Sequence, residues 1–373
     1  MRGKHQDQKT FLSFLDPERM IAKNHPIRKI KALVDTMLSQ METVFADMYS
    51  KKGRPSIPPE RLLKAQVLQA LFTIRSVRQL CERCELDLMF RWFLDLNSDE
   101  QMCDSSTFSH NQERLLAHSV STIFFHQIVD LAQKQNWVSD EHFSVDGTLI
   151  EAWASMKSIR PKDELKDEPK GVGDGNPWTD FKGEKRTNET HESTTDPEAK
   201  LMRKGPGKEA KLCFAAHATM ENRNGLCVAF SVKPAVGEPE SKVAVEQVRE
   251  LIDRGFDPKT VGADKGYHTK EFVQELTTEG VKPHPALKKG QDVLSVVVDE
   301  SYAISQKIRK RIEEIFGWAK TIGGFRKTRY RGVQRTEAAG TMVIASLNLL
   351  RMAKLFLNQE KALKNPVEMG LPA

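Results

Sequence analysis

The hydrophobic pattern changes character once along the chain. From residue 11 to about 137 apolar positions recur at helical spacing, first as Ile27, Ile30, Leu33, Val34, Met37, Leu38 and Met41, then as Leu62, Leu63, Val67, Leu68 and Leu71. Steps of three and four line one side of a helix, so each run predicts an amphipathic helix with one buried face. Pro58-Pro59-Glu60 opens the second run, where proline's fixed φ suits a first helical turn. A third helix is predicted from Asp104-Ser105-Ser106-Thr107 through Phe108, Leu115 and Leu116, its first side chains suited to cap free amides. Gly53-Arg54-Pro55 and Asn97-Ser98-Asp99 mark breaks between the helices.

From about residue 141 the period shortens. Phe143 to Ile150, Leu212 to Met220 and Leu226 to Val232 read as strands, the last two joined as a hairpin by Glu221-Asn222-Arg223-Asn224-Gly225. A helix at Val243 to Ile252 closed by Gly255, a strand at Thr260 to Ala263, a helix around Lys270 to Glu279 and a strand at Val281 to Pro285 follow. This alternation predicts an α/β layer behind an all-α N-terminal region. The expected division is 1–140 helical, 141–357 catalytic, and 358–373 a tail, with residues 157–208 a flexible polar insert too poor in apolar side chains to offset its ordering entropy.

Composition refines this picture modestly. The 373 residues are 39% hydrophobic and 29% charged, which is globular rather than disordered, and the net charge of +6 favours a polyanionic partner. Five cysteines, an odd number, point away from a disulfide framework and towards a reducing compartment, the cytoplasm. The N-terminus lacks the apolar core of a secretory signal, and the most apolar stretch, Thr341 to Leu357, is interrupted by Asn348, Arg351 and Lys354; no membrane span is expected.

Three carboxylates stand out. Asp146 lies inside an apolar strand, where burial is costly without a cation or hydrogen bonds; a turn-capping role is the plainer alternative. Asp264 ends a short strand before Lys265-Gly266-Tyr267, a place where open α/β sheets put ligands, although a turn-forming Asp before Gly fits equally well. Glu313 falls in a predicted helix from Ser305 to Lys320 in which Ile308, Ile312, Ile315, Ala319 and Ile322 form a buried stripe. Arg309, Glu313 and Lys320 share the adjacent face, so a surface ion pair between Arg309 and Glu313 competes with a functional role. Together, Asp and Glu oxygens are natural ligands of Mg2+ or Mn2+, and two such ions roughly 4 Å apart serve phosphoryl transfer.

Val145-Asp146-Gly147-Thr148, Ala263-Asp264-Lys265-Gly266-Tyr267 and Arg309-x3-Glu313-x2-Phe316-x-Trp318-x-Lys320 resemble the successive signatures of the DDE insertion-sequence transposases, specifically the insertion sequence five group. The 210–226 hairpin and the region from Gly53-Arg54-Pro55-Ser56 to Leu71 resemble the same group. The resemblance implies an RNase H-like mixed sheet flanked by helices, with Asp146, Asp264 and Glu313 as catalytic residues holding two Mg2+ or Mn2+ ions. It further implies a bacterial, nucleoid-associated enzyme whose N-terminal helices recognise terminal inverted repeats, acting as a homodimer on paired ends and joining them to target DNA. Gln306 departs from the pattern, since relatives often carry Tyr there, and no tyrosine contact carries over.

Lys307, Arg309, Lys310, Arg311, Lys320, Arg326, Lys327, Arg329, Arg331 and Arg335 make a basic segment suited to phosphates, with Arg309, Lys320, Arg326 and Arg329 the chosen DNA contacts. A solvated basic surface is the alternative. Trp318 and Tyr330 are placed either to stack on bases or to pack. Cys81 and Cys84, with Cys103 and His110 nearby, lack regular zinc spacing and suggest helix packing; His268 and His284 are expected as surface histidines near the active edge. Two competing functions remain: a DNA-binding regulator derived from a transposase, and a metal-dependent nuclease that cuts without strand transfer.

Overall fold

The computed structural model describes residues 16–49, 56–97, 100–163, 187–203, 205, 207–288 and 296–364. Its helices are α1 (Pro17–Met20), α2 (Pro26–Gln40), α3 (Glu42–Met48), α4 (Pro59–Leu71), α5 (Val77–Leu86), α6 (Leu88–Phe93), α7 (Ser105–Ala117), α8 (Val120–Lys134), α9 (Glu240–Asp253), α10 (Lys270–Thr278), α11 (Glu300–Arg309), α12 (Ile312–Thr321) and α13 (Val333–Lys364). The strands are β1 (His142–Glu151), β2 (Ile159–Pro161), β3 (His191–Ser193), β4 (Lys200–Arg203), β5 (Ala210–Glu221), β6 (Cys227–Pro234), β7 (Thr260–Ala263) and β8 (Lys282–Pro285).

The helical region forms for the reasons its pattern gave. Ile27, Ile30, Leu33, Val34, Met37 and Leu38 are the buried stripe of α2, and Asp104 caps α7 by accepting from the Ser106 amide at 2.7 Å. Cys81 and Cys84 are buried on α5, His110 is exposed, and Cys103 is packed against the same core, so these cysteines pack.

The main sheet runs β6–β5–β1–β7–β8, with β4 pairing the first residues of β5 along the edge that β6 continues. β5 is antiparallel to both β1 and β6, whereas β7 is parallel to β1 and β8 parallel to β7. That order and polarity are those of an RNase H-like sheet, flanked by helices as expected. Neighbouring residues of a strand point to opposite faces. Thr148 of β1 meets Lys320 of α12, while a side chain at Gly147 would meet Glu240 of α9, so α12 and α9 cover opposite faces.

The polar segment at 157–208 lies partly outside the described residues. Its described parts carry a short 3-10 turn at Met156–Ser158, the β2–β3 ribbon, and β4 added to the main sheet. At the other end, α13 runs through residue 358 to Lys364 without a break.

α13 is long and apolar enough to cross a membrane by length and composition, yet 67% of its most apolar window is buried, and it packs on β6, α8, α4 and α2. It is a core helix of the fold. Of the polar residues that interrupt it, Lys354 is exposed, while Asn348 and Arg351 have partners. Asn348, 1% exposed, accepts from the Cys227 amide at 3.0 Å and donates to the Cys227 carbonyl at 2.7 Å, completing the edge of β6. Asn348→Ala should therefore strand a buried donor and a buried acceptor and cost roughly 2–4 kcal/mol. Urea unfolding measures this; a loss below about 1 kcal/mol would mean water reaches β6.

Candidate active site

β1 and β7 bring the two aspartates together. In their parallel register Ser144 faces Gly262, and continuing it by two residues sets Asp146 level with Asp264. Adjacent strands lie ~4.8 Å apart, so the two carboxylates start from neighbouring backbone positions. Asp264 stands at the C-terminal end of β7, where its carboxylate accepts from the Gly266 amide at 2.6 Å and starts a 3-10 turn, Lys265–Tyr267. The turn-forming and site-forming readings of Asp264 are thus compatible.

Asp146 is half-buried and accepts from the Gly147 amide at 2.8 Å. Burial pushes its carboxyl up to about 6, with the negative charges of Asp264 and Glu240 adding to the rise and Arg309 opposing it. Glu240 opens α9; burial and then Asp264 raise its carboxyl as well. A Cβ on Gly147 would lie 3.1 Å from the Glu240 Cδ and 3.3 Å from the His217 Nδ1, so glycine is what lets α9 begin so close to β1. Tyr267, 1% exposed, is held neutral by burial and by the charges of Glu240, Asp146 and Asp264. Sequence reasoning missed Glu240 and Tyr267 as members of this group. Tyr267 lay inside the signature around Asp264, but nothing local marked Glu240.

Glu313 is exposed in the first turn of α12, with no ion pair to Arg309 or to any other described residue. Among the described residues no three His, Cys, Asp or Glu side chains are grouped closely enough to hold a metal ion. The expected single helix from Ser305 to Lys320 is interrupted at Lys310 and Arg311, between α11 and α12. Arg311 there donates to the carbonyls of Asn222 and Arg223, each at 3.4 Å, tying the break to the β5–β6 turn. Ile312, Ile315 and Ala319 are buried as the stripe requires, but Ile322, beyond the end of α12, is 42% exposed.

Basic residues frame the aspartates. Arg309 donates to the Gln306 side chain at 3.3 Å, and Gln306 in turn donates to the carbonyls of Ala263, at 3.3 Å, and His284. Gln306 thus fastens α11 to the ends of β7 and β8. Lys320 donates to Thr148 Oγ1 at 2.5 Å, two residues along β1 from Asp146. Arg326 is exposed, and its carbonyl accepts from the Glu151 amide at 3.1 Å, which stitches the basic segment to the end of β1. Arg329 reaches back to the helical region, donating to the Ile74 carbonyl at 3.0 Å. Arg335 is engaged by Glu113. His268 and His284 are buried rather than at the surface, with burial lowering His284 to about 4.

Two family models match the chain. Residues 15–114 match the transposase domain DUF772, and residues 178–349 match the transposase DDE domain, a span that holds Asp264 and Glu313 and begins after Asp146. Among solved structures the chain is similar to a piggyBac transposase synaptic complex with hairpin DNA, at 12% identity and TM-score 0.43, over 90% of this chain and 76% of that one. It is also similar to a Mos1 strand transfer complex, at 12% identity and TM-score 0.21, over 76% of this chain and 82% of that one. The domain matches are what carry weight: residues 178–349 are similar to a transposase DDE domain, and residues 15–114, ahead of them, to a transposase domain of the DUF772 type.

Proposed function

We propose that the protein is a DNA transposase of the insertion sequence five group, cleaving transposon ends and joining them to target DNA by metal-dependent phosphoryl transfer. The observation that carries this reading is the pair of partly exposed carboxylates set level with each other, Asp146 within β1 and Asp264 just past the end of the parallel β7, neither of them in an ion pair among the described residues. The Asp264 charge disfavours ionisation of Asp146, and a hard divalent cation relieves that. The donor set is all oxygen, which fits Mg2+ or Mn2+ and does not fit a zinc site. Asp146 and Asp264 would hold the metal, and Glu313 would join them from α12, the Lys310–Arg311 break being the joint for its approach. Bound divalent ions would supply an activated oxygen nucleophile and charge neutralisation at the departing oxygen.

The chain's own groups have separate tasks. Arg309 offsets the charge at Asp146, and Lys320 lies beside Thr148 on the same face of β1, so both are placed to meet phosphate oxygens. Arg326 and Arg329 extend that positive track from the end of β1 towards the helical region. The N-terminal region to about residue 140 would recognise terminal inverted repeats and the sheet domain from 141 would cut. The enzyme would act as a homodimer on paired ends, in the bacterial cytoplasm at nucleoid DNA.

The test uses oligonucleotides carrying the inverted repeats that flank the coding DNA, a supercoiled target, and Mg2+, Mn2+ or chelator. Cleaved ends and joined products should both require the metal. Cleavage with no joined product would favour a nuclease, and binding without cleavage a regulator.

A further inference from the structure

A cleft of about 530 Å3 opens where the helical region meets the sheet, walled by α4, α5 and α7 on one side and by Trp153, Arg329 and the start of α13 on the other. Neither aspartate lines it. Its lining sets aliphatic side chains, Leu63, Val77, Leu115 and Leu116, beside cationic and aromatic ones. Trp153 leaves β1 two residues past Glu151 and is 51% exposed, with Lys327 Nζ 5.8 Å from its ring centre. Three amide side chains, Gln66, Gln69 and Gln112, line the same space.

The charge in the cleft is unbalanced. Its one carboxylate, Glu113, is taken up by Arg335 in two hydrogen bonds of 2.8 Å each. Arg75 and Arg329 face the cleft together, and neither has a carboxylate partner among the described residues. Burial first lowers the proton affinity of Arg329; Tyr330 opposes the fall and the Arg75 charge adds to it. The N-terminus of α5 also opens here, with Ser76 and Val77 on the wall and the Ser76 hydroxyl occupied by the Gln79 amide at 3.1 Å. Two uncompensated guanidinium groups beside a helix N-terminus call for an anion, and phosphate matches the geometry of both.

We propose that this cleft binds one unpaired nucleotide of the DNA substrate, its phosphate held by Arg75, Arg329 and the start of α5 and its base stacked on Trp153. A base inside a duplex has both faces covered by its neighbours and offers none to Trp153, so the nucleotide must leave the stack to enter. The glutamine amides, each carrying donors and an acceptor, suit the exposed edge of such a base. Trp153 lies seven residues along an extended chain from Asp146, at most ~23 Å. The pocket therefore serves a nucleotide near the reacting phosphate but separate from it. This assignment rests on DNA being the substrate.

The test is made on the full chain without metal, so that it does not depend on cleavage. A 5′-phosphorylated pentathymidylate is titrated while intrinsic tryptophan fluorescence and the anisotropy of a labelled oligonucleotide are recorded. The wild type should show quenching; Trp153→Phe should lose the quenching but keep the affinity, and Trp153→Ala should bind about tenfold more weakly. Arg75→Ala should weaken binding by a similar factor, with Arg75→Lys recovering most of it. Circular dichroism checks that each variant is folded. Unchanged affinity in folded Trp153→Ala and Arg75→Ala overturns the pocket, and so does displacement by inorganic phosphate at concentrations matching the oligonucleotide. If the wild type shows the quenching but never cleaves DNA with Mg2+, the catalytic reading fails and the pocket stands. Metal-dependent cleavage with no quenching gives the reverse.

Discussion

Asp146→Asn should abolish metal-dependent cleavage and, at neutral pH, make the metal-free protein more stable than wild type. The two effects have one cause. In the folded chain the Asp146 carboxyl is raised from an ordinary 3.8 to about 6, by burial first and then by Asp264 and Glu240. A carboxyl whose folded value is raised binds its proton more tightly in the native state. Its contribution to stability is therefore full below about 4, is lost as pH rises to about 6, and stays lost above that. Two units correspond to just under 3 kcal/mol at most, and partial exposure brings the cost to roughly 1–2 kcal/mol. Asparagine removes the ionisation, so the melting temperature near pH 7 should rise by a few degrees, with no gain at pH 4. Mg2+ should raise the wild-type melting temperature more than that of the variant. Asp264→Asn should lose cleavage similarly while keeping its turn, because an asparagine oxygen can still accept from the Gly266 amide. A folded Asp146→Asn protein that cleaves normally would remove Asp146 from the chemistry, whatever its stability.

How far the sequence disclosed this site follows from the range of the forces involved. Asp146 and Asp264 were visible because one interrupts an apolar strand and the other ends one, each a local anomaly with a local cost. The α2 and α4 stripes were visible because a helix face is written at fixed spacing. Glu240 was not, since its place beside Asp264 depends on how the chain leaves β6 and lays the start of α9 over Gly147. The break between α11 and α12 was equally hidden. No Gly or Pro marks it, and Arg311 is drawn to carbonyls of a turn nearly ninety residues earlier, a tertiary pull that overrides helical propensity. Likewise Ile322 continues the stripe in sequence but not in space. Gly323, where a Cβ would come within 2.4 Å of Val343, turns the chain tightly against α13 and leaves Ile322 outside.

Glu313→Gln should lower cleavage and strand transfer by orders of magnitude, while Glu314→Gln should leave both nearly intact. The two residues are adjacent in the first turn of α12 but project ~100° apart around it. Glu314 is already engaged, facing Arg351 at 3.4 Å, and Arg351 also donates to the Gly225 carbonyl. An exposed ion pair of that kind contributes about 0–1 kcal/mol, so its loss should barely move the melting temperature. Glu313 has no such partner among the described residues, is exposed, and stands two residues past Arg311 in the first turn after the break. A carboxylate with no ion pair among the described residues costs little to redirect towards Asp146 and Asp264 once divalent ions are present. Glutamine keeps the size and helix propensity of glutamate, so the substitution tests the charge alone. End binding should persist in Glu313→Gln, since recognition is assigned to the helical region. The informative companion is Glu240→Gln. Full activity in Glu313→Gln together with its loss in Glu240→Gln would move the third ligand from α12 to the start of α9, on the opposite face of the sheet.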